Sequence, residues 1–100
     1  MLTLKEIQDL MIELKDWSLE SSSIIKDFSF NNFKEALDFV NKVGEIAEKQ
    51  GHHPDILINY DLVRLSLTTH SEKGLTKKDF DVAKDVDKIS FPTIVKDIKN

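Results

Sequence analysis

The chain is 100 residues long, 40% apolar and 32% charged, with three glycines, two prolines and no cysteine. That balance is too apolar for a disordered segment and suits one modest core, since a domain of this size buries roughly two thirds of its unfolded surface. A formal charge of −4 argues against nucleic acid as the main partner, and the lack of cysteine removes disulfides, thiol catalysis and cysteine-ligated zinc.

The first predicted element is an amphipathic helix. Thr3 and Glu6 stand at the spacing of a capping box, and Leu4, Ile7, Leu10, Met11 and Leu14 follow with a helical period. The pattern stops near Trp17. Residues 17–20 and 24–30 are rich in aromatic and β-branched side chains and read as two strands joined by the serines Ser21 to Ser23. Lys26 breaks the alternation, because it shares a face with Ile24, Phe28 and Phe30.

Residues 32–50 form the strongest helix, with Asn32 and Glu35 as its capping pair and Gly51 as its stop. At about 100° per residue its apolar side chains span roughly 180°, wider than the stripe needed to lie on a sheet. Phe39 and Ile46 lie on the margin of that arc. They are available either to another helix of the same chain or to a second subunit.

Two further strands are expected within residues 56–69, around a turn at Tyr60-Asp61. In the second, Val63, Leu65, Leu67 and Thr69 alternate with Arg64, Ser66, Thr68 and His70. Thr76 with Asp79 then spells another helix start, with Leu75 placed to staple onto Phe80 and Pro92 expected to break the helix. Residues 93–100 carry the period of a short final helix. The expected architecture is one α+β domain over residues 1–100, ordered α-β-β-α-β-β-α, with helices on one face of a four-stranded, largely antiparallel sheet. No window approaches the ~20 apolar residues of a membrane span, and the N-terminus lacks the apolar run of a signal peptide, so the expected compartment is the cytoplasm.

Chemistry concentrates in the three histidines, all at element ends. His52 and His53 lie between the Gly51 stop and Pro54, and His70 ends the best strand. Neighbouring strand residues face opposite ways, so His52 and His53 share a pocket only if the backbone there is irregular, as a helix stop followed by X-Pro makes it. An unperturbed pKa near 6.5 suits histidine to proton transfer at neutral pH. The plainer alternatives are specific. One histidine at a helix C-terminus is commonly a favourable charge placement. Three histidines can also hold a zinc ion with a water, but this spacing matches no helical i, i+4 pair and no short zinc signature, so no metal is expected. Asp79 serves its own capping box, Glu48 reads as a solvated flank and Trp17 as core. There is no Gly-rich phosphate loop, Gly-x-Ser-x-Gly elbow or His-Glu-x-x-His.

The run Glu48-Lys49-Gln50-Gly51-His52-His53-Pro54-Asp55, with Asn59-Tyr60-Asp61-Leu62-Val63, Leu67-Thr68-Thr69-His70 and Gly74-Leu75-Thr76 through Asp79, resembles the pterin-4a-carbinolamine dehydratase family. Trp17 and Phe28-Ser29-Phe30-Asn31-Asn32-Phe33 are similar to that family's first hairpin and its passage into the long helix, so the likeness extends to about Asp87. Lys73 departs from the small residue often found before the glycine, and the tail from Ser90 runs past the family's usual end.

The resemblance implies a hydro-lyase that removes water from 4a-hydroxytetrahydropterin, with neither a metal nor a redox cofactor. It implies His53 as the group that binds the pterin and takes the N5 proton, with His52 and His70 protonating the leaving hydroxyl. Glu48 and Asp79 would orient or charge-tune the histidines, Trp17 would lie near the pterin ring, and Pro54 belongs to the same motif. It also implies a homodimer, with sheets paired edge to edge, and a homotetramer as the larger option through the long helices. Vertebrate members serve as dimerisation cofactors of a homeodomain transcription factor, so a non-catalytic binding module is the alternative, as is a dehydratase-like role in molybdopterin or folate-related metabolism.

Overall fold

The computed structural model describes residues 1–90. Helix α1 (Leu4–Met11) opens with the expected reciprocal cap: the Glu6 N–H donates to the Thr3 hydroxyl and the Thr3 N–H to the Glu6 carboxylate. It ends earlier than its apolar stripe, in a tightened turn where Glu13 and Leu14 N–H groups bond the carbonyls three residues back. Ile7, Leu10, Met11 and Leu14 nonetheless pack against the core.

Strands β1 (Ser18–Glu20) and β2 (Ser23–Ser29) form the first hairpin, helix α2 (Phe33–Gln50) follows, and β3 (Asp55–Asn59) and β4 (Leu62–Leu67) form the second. The sheet order is β1-β2-β4-β3 and every pairing is antiparallel. Helix α3 (Lys77–Asp87) closes the described fold, giving the expected α-β-β-α-β-β-α order. Among the described residues no helix is long and apolar enough to cross a membrane.

The core lies between one sheet face and the helices. Ile24, Phe28 and Phe30 of the first hairpin segment and Val63, Leu65 and Leu67 of β4 cluster with Ala36, Phe39 and Val43 of α2 and with Phe80, Ala83 and Val86 of α3. Period 2 in the strands and period 3.6 in the helices aim these side chains at one layer. The Lys26 anomaly has a physical explanation. Its stem follows the inward face, and its ammonium ends on Asp87 at 2.9 Å and 4.9 Å from the Phe28 ring centroid.

The margin residue Phe39 is 1% exposed, its ring 4.6 Å from Phe28 and 5.0 Å from Phe30. It belongs to the chain's own core, as does the partly buried Ile46. Of the two contacts open to these residues, the one within the same chain is the one made. The sheet and α3 cover that side of α2, and the exposed apolar side chains lie on its other margin, at Phe33 and Leu37. Helix α3 also stops before any proline: Lys88 and Ile89 N–H groups tighten onto Asp85 and Val86 carbonyls. Pro92 and the short helix expected over residues 93–100 lie outside the described residues.

Candidate active site

The turn after α2 is built by Gly51. Its φ of 65° is left-handed, a region that a residue with a Cβ enters at a cost, and the His52 N–H reaches back to the Ala47 carbonyl at 3.1 Å. This Schellman bond turns the chain off the helix axis and projects His52 and His53 from an irregular backbone. Pro54, half-buried, precedes the first residue of edge strand β3, where its missing N–H costs no ladder bond.

His52 meets Asp79 across the fold. Its Nε2 lies 2.5 Å from Asp79 Oδ1, with the His52 side chain 12% exposed and that of Asp79 fully buried. The aspartate is carried to this place by its capping role, since the Thr76 N–H at the start of α3 donates to Asp79 Oδ2 at 3.0 Å. Capping and contact with histidine are thus two uses of one carboxylate, one for each oxygen. Oδ2 also accepts the Thr69 hydroxyl at 2.8 Å, and Thr69 Oγ1 lies 2.8 Å from Thr76 Oγ1.

His70 follows Thr69, but not as a strand residue. The ladder to β2 ends at Ile24–Leu67. The chain then closes on itself. The Thr69 N–H donates to the Gly74 carbonyl at 3.1 Å, and His70–Glu72 form a single 3-10 turn closed by the Lys73 N–H on the His70 carbonyl. His70 is exposed at the start of that turn. His53 is also exposed, and its Nε2 lies 2.5 Å from Glu48 Oε2 in the last turn of α2.

Hydrogen bonds pair His52 with Asp79 and His53 with Glu48, and His70 is tied to them through its chain neighbour Thr69. Trp17 is not part of this set. Its indole N–H donates to both Asp87 oxygens at 3.0 Å, at the far end of α3 from Asp79, about 12 Å along the helix axis. The ring is buried in edge-on contact with Phe28. Thr69 was legible as a strand residue only, although a polar side chain at the inward position of the Val63, Leu65, Leu67 alternation requires a buried partner. Among the described residues no group of three or more histidine, aspartate or glutamate side chains is placed to hold a metal ion.

Two imidazoles, each with one nitrogen on a carboxylate, are groups suited to moving protons. Residues 1–89 match the family described as pterin 4 alpha carbinolamine dehydratase. Among similar proteins, one from Sulfolobus acidocaldarius is 45% identical over 84% of this chain and 92% of its own length, and one from Chloroflexus aurantiacus is 49% identical over 84% and 90%. Both are provisionally named pterin-4-alpha-carbinolamine dehydratase. A crystal structure described as a transcriptional coactivator/pterin dehydratase from Brucella melitensis superposes with a TM-score of 0.82 at 32% identity, covering 86% of this chain and 94% of that one. A pterin dehydratase-like protein described as a RuBisCO assembly factor in the alpha-carboxysome shares the fold, with a TM-score of 0.58 at 19% identity over 71% of this chain and 82% of its own.

Proposed function

The chain belongs to the pterin 4 alpha carbinolamine dehydratase family, and from that premise we propose that it eliminates water from 4a-hydroxytetrahydropterin to give quinonoid dihydropterin. A base removes the N5 proton, the electron pair of that bond becomes the N5=C4a double bond, and the 4a-hydroxyl leaves as water after protonation by an acid. No atom changes oxidation state overall, so the chemistry asks only for a positioned base and acid.

The observation that carries this reading is the pairing of adjacent histidines with two different carboxylates, His52 with Asp79 and His53 with Glu48. In the proposed division of labour His53 takes the N5 proton. With its Nε2 proton on Glu48, a neutral His53 ring carries its lone pair on Nδ1, available to a substrate. His52 and His70 protonate the hydroxyl, and Asp79 and Glu48 orient and charge-balance their rings. Pro54 holds the turn that projects the pair. Trp17 takes no direct part in this proposal, since its N–H is committed to Asp87.

We propose a homodimer at least, with a homotetramer as the larger option. Edge strand β3 supports it: Leu57 is 57% exposed on a strand whose outer backbone edge has no neighbour in the sheet among the described residues. The relative named a transcriptional coactivator keeps a non-catalytic binding role as the second reading. One assay separates the two. The protein is added to freshly generated 4a-hydroxytetrahydropterin and the loss of substrate followed by absorbance. Acceleration well above the spontaneous rate supports the dehydratase, and a rate equal to buffer overturns it in favour of the binding module.

A further inference from the structure

Thr69 lies outside the site residues discussed as acid or base. It is 8% exposed, two residues past the end of β4, and its hydroxyl has one proton to give. That proton goes to Asp79 Oδ2, so the hydroxyl of Thr76 must donate to Thr69 across their 2.8 Å contact. The bonds run in one direction: Thr76 O–H to Thr69, Thr69 O–H to Asp79. The Thr76 N–H adds a second donor on the same aspartate oxygen. Both bonds into Oδ2 have that oxygen as the acceptor.

The other oxygen faces His52 Nε2 at 2.5 Å, and with Asp79 as a carboxylate the contact is a hydrogen bond only if Nε2 carries a proton. We propose that Thr69 is a positioning residue that fixes the tautomer of His52 through Asp79. It commits Nε2–H to the carboxylate and leaves Nδ1 as the atom that gains and loses the mobile proton. The inference rests on the dehydratase reading for the use of that proton, but not for its location. Thr69 also begins the closed segment that presents His70, because its backbone N–H is bonded to the Gly74 carbonyl. One residue therefore sets the protonation geometry of one histidine and the placement of another.

The test is a long-range 1H–15N spectrum of the imidazoles in the full chain, recorded where His52 is neutral, for the wild type, Thr69→Val and Thr69→Ser. The wild type is expected to show His52 as the Nε2–H tautomer alone. Thr69→Val removes a donor from Asp79 without removing bulk and is expected to introduce a visible share of Nδ1–H, which Thr69→Ser does not. In the dehydratase assay the valine variant should lose about tenfold in kcat, the scale of one charge-assisted hydrogen bond, with KM within about twofold and the serine variant restored. A wild-type His52 protonated on Nδ1, or a Thr69→Val spectrum with an unchanged tautomer, overturns the proposal. A correct tautomer pattern in a protein with no dehydratase activity sinks the reaction and leaves the positioning role standing. If Thr69→Val does not fold, Thr69→Ala takes its place, and the wild-type spectrum alone still has the power to refute.

Discussion

At the residue scale, the site separates by exposure. Asp79 is fully buried and shares its oxygens among three partners, whereas the His53–Glu48 pair is 58% and 78% exposed and contributes little to stability by itself. Removing His53 should therefore cost function and not fold. His53→Ala is expected to lower turnover by roughly 10²–10⁴-fold, the usual range for a general base, with unchanged circular dichroism. His52→Ala and His70→Ala should each cost less, because the two proposed acids can partly replace one another. Near-normal turnover in the His53 variant would remove it from the base role. The residues of this assembly were legible from their types and from the family pattern, but their connections were not. Asp79 read as a cap, and nothing in its spacing revealed that its second oxygen meets a histidine 27 positions earlier. Thr69 was hidden for the same reason, since a contact between separate elements leaves no local period.

At the element scale, the Gly51 turn carries the site. A Cβ built there meets no atom within 4 Å, so substitution tests the left-handed backbone alone. Gly51→Ala should lower stability by about 1–2 kcal/mol in urea unfolding and also reduce turnover, while Gly51→Asn, which tolerates this conformation better, should lose less of both. Equal damage from alanine and asparagine would point to a cause other than φ. A second element-level prediction concerns the register of β2 and β4, which sets Asp27 opposite Arg64. The guanidinium holds the Asp27 carboxyl below its ordinary value of 3.8, chiefly through their hydrogen bonds. A depressed folded value means the contribution is complete above the unfolded value and fades as pH falls through the folded one. Asp27→Asn should therefore lower the urea midpoint slightly at neutral pH, and the gap should close in strong acid or high salt. A gap that widened in acid would contradict the pairing. Element boundaries were largely legible because caps and stops are local: Thr3, Asn32, Gly51 and Thr76 all mark helix ends. The 3-10 turn at His70 was not, because it is closed by backbone bonds to Gly74 and Lys73 that the strand's alternation does not reveal.

At the scale of the whole molecule, burial decides which apolar residues remain for another subunit. Phe39 is spent on the core. Phe39→Ala should cost roughly 3–5 kcal/mol in unfolding without altering assembly, and a change of mass with normal stability would return it to the interface. Edge strand β3 and the Phe33, Leu37 margin of α2 are two exposed surfaces open to the proposed assembly. Leu57→Lys should weaken a dimer joined along β3, and Leu37→Glu should reduce a tetramer to a dimer if the helices form the second contact. Analytical ultracentrifugation reads both, and a monomer at micromolar concentration refutes the assembly. The width of the apolar arc on α2 was visible in the sequence, but which margin the sheet would cover was set by packing. On the proposed function, histidines carry out acid–base dehydration without a metal. The most direct measurement is the rate of 4a-hydroxytetrahydropterin loss with chelator-treated wild type and chelator-treated His53→Ala, side by side. Full activity is expected in the first and a rate near the spontaneous one in the second. Loss of wild-type activity on chelation, restored by added zinc, would contradict it.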